Sequence, residues 1–297
     1  MTSRTVGGQS LLVRASPLVF VVIWATGFIV ARLVASHAEP LTFLSMRFAL
    51  AAAAFAIIAF ASGATWPRTP RAWGGALLTG MLMQGVFLGG VFWATHHGLP
   101  AAVTALITGL QPLATGILAY PVLGERVTGR RWIGITLGFF GAMLVVSPSL
   151  STATGGGLLL LPVAACVLSM LAMTAGTLIQ KSLPPGADLR THACGQFIGG
   201  AALLIPVALL TENGGFDGSW QAWTGMIWAV LALSVGAASL LLILLRRGAV
   251  AGVASLFYLV PPVVGAMAWA LFGDRLSAVQ VAGMVVAAIG VFVASRG

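Results

Sequence analysis

The sequence predicts an all-α polytopic membrane protein with ten transmembrane helices in two inverted five-helix repeats. Three observations carry that prediction. The first is composition: 59% of the 297 residues are hydrophobic, only 7% are charged, and mean hydropathy is +1.03. A soluble domain carries about 25% charged residues, so this chain lacks the charge to cover a water-soluble globule. The second is an internal repeat. Pro100–Val146 slides 149 residues along onto Ala249–Ser295 without a gap, with ten of 47 positions identical. The identities include Pro112/Pro261, Gly124/Gly273, Arg126/Arg275, Gly134/Gly283 and Gly141/Gly290, and Glu125 falls on Asp274. Biased composition matches Ala and Gly, but it does not supply an in-register proline and a Gly-acid-Arg triplet at fixed spacing. The third is a one-sided distribution of arginine and lysine, which emerges once the spans are placed.

Each span needs about 20 residues, because a helix rises about 1.5 Å per residue across roughly 30 Å of hydrocarbon. Met1 to Arg14 form a short polar head without a cleavage-like pattern, so the first apolar run is expected to be a retained helix. The spans fall near 15–35, 41–62, 72–95, 99–121, 131–148, 157–180, 191–211, 221–245, 249–272 and 278–295. The clearest breaks are Ala64 to Arg71, Ser147-Pro148-Ser149, Pro184-Pro185-Gly186 and Glu212 to Gly215, each rich in turn formers or charge. The breaks at His96-His97-Gly98 and Arg246-Arg247-Gly248 are visible only through the repeat. With a cytoplasmic N-terminus, the cytoplasmic segments hold twelve of the 15 basic residues. Only Arg32 and Arg275 fall on the far side, and Arg47 lies inside the second span. That is a positive-inside pattern with both termini cytoplasmic. Glu39, Glu212, Asp217 and Asp274, four of the six acids, fall on the far side.

The halves, 1–148 and 157–297, each hold five spans. Five is odd, so the second half enters the membrane from the opposite face. The two are then related by an axis in the membrane plane, as in secondary transporters that work by alternating access. The alternative is a non-transporting membrane structural or interaction protein, although no large soluble domain is present to support such a role.

Other function classes are less well served. A net charge of +9 could suggest nucleic acid. The basic residues sit in breaks between apolar runs and form no patch, so the expected partners are the lipid bilayer and a small-molecule substrate. Cys166 and Cys194 show neither metal-ligand spacing nor a disulfide framework and read as buried packing residues. There is no phosphate-binding loop, nucleophile elbow or HExxH motif, and the six acids and four histidines are scattered. The chain is therefore not expected to be an enzyme or to bind a cofactor or metal.

The candidate functional residues are polar or aromatic groups within apolar runs. Arg47 is the one arginine well inside a span. It reads either as a group that attracts a substrate carboxylate or phosphate, or as a side chain that snorkels to the interface or pins a neighbouring helix. Its repeat partner is Gln196. Pro112 and Pro261 each remove a helix hydrogen bond, which points to kinks that act as hinges or widen a cavity, or to plain structural bends. Thr108, Gln111 and Tyr258 lie beside them. Trp24, Gln84, Trp93, Thr174, Gln180, Trp228 and Ser234 are further polar or aromatic candidates. Glu125 and Asp274 close the fourth and ninth spans. They read as helix-end acids offset by Arg126 and Arg275 or bound to backbone N–H groups of the next helix, with proton coupling as the other reading. His96, His97 and His192 read as surface or interface residues. Gly134/Gly283 and Gly141/Gly290 read as close-packing positions against helices of the opposite repeat, or against a second subunit in a homodimer.

The sequence resembles the drug/metabolite transporter superfamily, and within it the ten-helix EamA-type permeases. The resemblance is carried by Trp24, Gly27 and Phe28 in the first span, Pro40 before the second, Arg47 within it, and the duplicated Pro112-to-Glu125 and Pro261-to-Asp274 segments. It implies a multi-pass permease of a bacterial-type inner membrane, an exporter of amino acids, amines or other small metabolites. It also implies a central cavity walled mainly by helices 1, 3, 4, 6, 8 and 9, with 5 and 10 peripheral. The second half departs from the pattern at Met173, which stands where Trp24 would repeat, and at Gln196 and Asp274.

Overall fold

The computed structural model describes residues 11–99, 104, 107–153, 160–183, 188–247, 253–272 and 277–296. These form ten helices: α1 (Leu11–Val34), α2 (Pro40–Ala61), α3 (Pro70–His96), α4 (Gln111–Leu123), α5 (Gly129–Ala153), α6 (Leu160–Ser182), α7 (Leu189–Thr211), α8 (Trp220–Arg247), α9 (Val260–Phe272) and α10 (Ala278–Ser295). The fold is an all-α polytopic membrane fold, and α2, α3, α6, α7 and α8 are each long and apolar enough to cross a bilayer.

Local chemistry sets the ends. Thr69 accepts from the Ala72 N–H with Pro70 in the first turn of α3, and Ser219 accepts from the Ala222 N–H at α8. Ser277 and Gln280 form a reciprocal capping box at α10. Gly124, at φ 71°, ends α4 in the left-handed region that glycine enters without a Cβ penalty. At Ser147-Pro148-Ser149 the structure differs from the sequence expectation, because α5 runs through to Ala153. Pro148 removes the donor that would have served the Leu144 carbonyl, and the Ser147 hydroxyl donates to that same carbonyl at 2.9 Å. With the orphan satisfied, the helix continues.

Two stretches are π-helical, Met81–Val86 within α3 and Ala229–Ala237 within α8. Shifted by the 149-residue register, the first falls inside the second. Such wide turns concentrate at functional sites.

The tightest helix pair is α5 against α10. They cross backbone to backbone at glycines, antiparallel, with Gly134 beside Gly290 and Ala294, and Gly141 beside Gly283 and Ala287. The contacts exchange under the register: a Cβ on Gly134 would sit 2.6 Å from the Gly290 carbonyl oxygen, and one on Gly283 would sit 2.7 Å from that of Gly141. α2 and α7 also pair, through Phe48, Phe55 and Phe197, whose rings lie 5.7–5.9 Å from centroid to centroid. Phe48 and Phe197 are themselves one register apart. Both cysteines are free and buried, as expected.

At one end of the bundle the α1–α2 and α7–α8 connections are strapped together. Ala38 and Phe216 form an antiparallel bridge, Glu39 N–H donates to the Gly215 carbonyl at 2.8 Å, and Gly215 N–H returns to Glu39 Oε2 at 2.7 Å. Glu212 accepts from the N–H groups of Leu41 and Thr42, capping α2 from another helix. His37 Nδ1 lies 2.6 Å from Asp217 Oδ2.

Candidate functional site

Beside this strap a cavity of about 620 Å³ enters the bundle between α1, α2, α3, α8 and Thr104 and Thr108. It reaches exposed positions at Ala35, Thr95 and His96, which mark its mouth at the strapped end. Its walls are apolar and aromatic, with Trp24, Phe28, Phe43, Phe87 and Phe92 among them. A second chamber of about 100 Å³ shares Trp24, Phe28, Phe87 and Thr108 with the first and adds Gln111, Met173, Phe257 and Tyr258. Trp24 and Phe257 meet edge to face at 5.3 Å, forming part of an aromatic collar between the two spaces.

Arg47 stands in the wall of the larger cavity and is only 8% exposed. It lies about 10 Å down α2 from Pro40. Its Nε donates to Ser234 Oγ at 3.0 Å, on the π-helical stretch of α8. Among the described residues no carboxylate pairs with it. A charged side chain at membrane depth costs about 2.5–3.5 kcal/mol on insertion scales, and such residues mark ligand pathways. Ser234 meets one donor, and among the described residues the terminal guanidinium N–H groups of this cavity-lining side chain make no other hydrogen bond.

The charges in this cavity decide what it attracts. Aromatic faces draw a cation by about 0.5–2 kcal/mol. A fixed guanidinium repels an ammonium about 6 Å away by about 3 kcal/mol at an effective dielectric near 20. For a cation held that close to Arg47, repulsion outweighs the pull of the rings.

The two prolines stand where the regular α-helical pattern changes. Gly109 and Leu110 form a turn before α4, so Pro112 lies in the first turn of α4. Pro261 is the second residue of α9, after a 3₁₀ turn at Ser255–Leu259. Ahead of Pro112 the helix gives way to a two-residue turn, and ahead of Pro261 it tightens to 3₁₀ without a gap; each proline then falls in a first turn, where a missing N–H leaves no acceptor unserved. Both breaks border the smaller chamber, through Thr108, Gly109 and Gln111 on one side and Phe257, Tyr258 and Val260 on the other. Gln111 Nε2 donates to Thr115 Oγ1 at 2.9 Å.

The sequence candidates divide accordingly. Trp24, Arg47, Thr108, Gln111 and Tyr258 line one or both spaces. Gln84, Trp93, Thr174, Gln196 and Trp228 line neither. Gln84 packs on Gly200 of α7, and Trp93 stacks on His97 at 3.9 Å. Thr174 Oγ1 donates to the Met170 carbonyl, and Trp228, 47% exposed, donates to Thr26 Oγ1. Gln196 belongs to a buried polar knot in which Gln180 Oε1 accepts from both Gln196 Nε2 and His192 Nε2, and Thr79 Oγ1 accepts from Gln196. His192 is 4% exposed and so is not the surface residue the sequence suggested. The knot joins side chains of α3, α6 and α7, which no local pattern could reveal. Glu125 lies 4.0 Å from Lys181 Nζ, and Asp274 lies outside the described residues. α2 joins the wall of the larger cavity, and α5 joins that of the smaller chamber through Phe139, Ala142 and Met143. Sequence reasoning missed Phe87, Phe92 and Phe257, because a phenylalanine in a run that is apolar on every side carries no signal of facing a cavity. Among the described residues no three His, Cys, Asp or Glu side chains gather as a metal site.

Comparison with known proteins adds the following. A family model described as the EamA-like transporter family matches residues 15–147 and again residues 160–296. The chain is 30% identical over 135 residues to "Protein PecM" of Dickeya dadantii (strain 3937), covering 45% of this chain and 43% of the relative. It is 32% identical over 135 residues to a "Probable amino-acid metabolite efflux pump" of Escherichia coli (strain K12), covering 45% and 42%. Those two alignments therefore span less than half of each relative. A longer alignment, 27% identical over 280 residues, covers 90% of this chain and 88% of "Uncharacterized transporter YyaM" of Bacillus subtilis (strain 168). One solved crystal structure covers 95% of both chains at a TM-score of 0.79 and 18% identity, a likeness of fold alone.

Proposed function

Because the chain belongs to the EamA-like transporter family, we propose that it carries a small metabolite across the membrane, as an exporter, by alternating access. The observation that carries this reading is a deep cavity, open at one end of the bundle, with a buried arginine in its wall and no acid paired to it among the described residues. The moving parts are two inverted five-helix repeats, residues 1–148 and 157–297. Three features support that division: the exchanged glycine contacts of α5 and α10, the register of the two π-helical stretches, and the facing Phe48 and Phe197. The arginine and lysine distribution supports cytoplasmic termini and an outward mouth. Metabolites of amino-acid size suit the cavity, and the Escherichia coli relative is by its name a probable amino-acid metabolite efflux pump.

The test is flux. Purified protein in sealed vesicles should move a radiolabelled substrate from a panel of amino acids, organic acids and amines faster than empty vesicles do. Flux equal to empty vesicles across the whole panel sinks the transport reading.

A further inference from the structure

We propose that the ligand of the larger cavity is a hydrophobic monocarboxylate lacking an ammonium group: an aromatic or branched organic acid rather than an amino acid or an amine. This rests on the transport reading above and narrows it to one chemical class.

The argument is an inventory of charge. The chain has six acids, and five can be placed in the structure. Glu39, Glu212 and Asp217 bind the strap between the α1–α2 and α7–α8 connections, through Gly215, the start of α2, and His37 with Ser219. Asp188 holds Arg190 at 2.7 Å, and Glu125 lies beside Lys181. Asp274 follows α9, outside the described residues, and the other undescribed stretches contain no acid. None of the five described acids stands among the described residues lining the cavity.

An amino acid brings two charges, and its ammonium needs a carboxylate or several carbonyl oxygens. Carbonyls near the break before α4 are already engaged. The Thr104 oxygen accepts from Thr108 Oγ1, that of Ile107 from the Leu110 N–H, and that of Leu110 from the Ala114 N–H. An ammonium in this space would meet aromatic faces and a like charge. A carboxylate would meet the Arg47 guanidinium, whose Nε is tied to Ser234 and whose terminal N–H groups form a fork suited to two carboxylate oxygens. The remainder of the ligand would lie against Trp24, Phe43, Phe87 and Phe92.

Phenylalanine supplies a matched set of probes by removal of one group at a time. 3-Phenylpropionate keeps the carboxylate, phenethylamine keeps the ammonium, and 3-phenylpropanamide carries neither charge. Binding to the full-length protein in detergent is measured by calorimetry, and flux is measured in vesicles. The expected order is 3-phenylpropionate first, phenylalanine at least about 10-fold weaker, and phenethylamine weakest. Arg47→Gln should weaken 3-phenylpropionate by about 10- to 100-fold, the range of a hydrogen bond to a charged group, and leave 3-phenylpropanamide unchanged. Arg47→Lys, which keeps the charge and loses the fork, should fall between; it replaces Arg47→Gln if that variant fails to fold. Equal or tighter binding of phenylalanine or phenethylamine overturns the proposal. So does an unchanged affinity for 3-phenylpropionate in the folded variants. Flux of amines or amino acids with no binding of the acid would sink this proposal and leave the transport reading standing. No binding and no flux for any compound would sink both.

Discussion

At the scale of single residues, the polar groups divide between those that hold the bundle and those beside the cavity, and their partners tell them apart. Asp217 belongs to the first kind. Hydrogen bonds from the Ser219 backbone, and then from His37 and the Ser219 hydroxyl, hold its carboxyl at about 2, below the ordinary 3.8. A depressed carboxyl stabilises the fold above its unfolded value and loses that contribution as pH falls through its folded value. The strap should therefore hold steady from neutral pH down to about 4 and loosen between about 4 and about 2. The stability difference between the native protein and Asp217→Asn should stay constant from neutral pH down to about 4 and fall away between about 4 and about 2; a difference persisting unchanged below pH 2 would contradict this assignment. Arg47 could be picked out in the sequence because charge is rare in an apolar run. Its contact with Ser234, 187 positions along the chain, could not. His192 and Gln196 show the opposite failure: both stood out as polar, and only folding reveals that they satisfy one another through Gln180.

At the scale of elements, the glycines repeated in both halves were the most informative signal, because a side chain at those positions meets backbone rather than space. A Cβ on Gly141 would lie 2.3 Å from the Ala287 nitrogen, whereas one on Gly74 meets nothing within 4 Å. Gly141→Ala should destabilise the protein by about 1–3 kcal/mol, the usual range for overpacking. Gly74→Ala should leave stability unchanged or slightly raised, since alanine is the better helix former. Thermal unfolding in detergent compares the two, and equal midpoints would contradict the seam between α5 and α10. Helix ends were less legible. Pro148 looks like a stop in sequence, yet Ser147 rescues the one carbonyl it orphans and α5 continues. Pro112 and Pro261 look like kinks, yet they open new helical segments. In each case the outcome depends on whether a local hydroxyl or a preceding turn takes up the freed group, which proline alone does not encode.

At the scale of the whole molecule, composition and the internal repeat were enough to predict ten helices, because a bilayer admits few other ways to satisfy a backbone. They did not predict the cavity walls, since lipid-facing and cavity-facing phenylalanines read alike. Reporter fusions at the two ends should both be active in the cytoplasm, and a thiol reagent added outside should label Thr95→Cys at the mouth. Termini on opposite faces would contradict the inverted halves. The seam of α5 and α10 carries a further consequence. Two backbones touching at five glycines, Gly134, Gly138, Gly141, Gly283 and Gly290, cannot slide past each other without collision, so that pair should act as a fulcrum, with the remaining helices as the lever arms. Tethering α5 to α10 through cysteines placed beside the seam should then spare turnover, and a tether that halts it would show the pivot lies elsewhere.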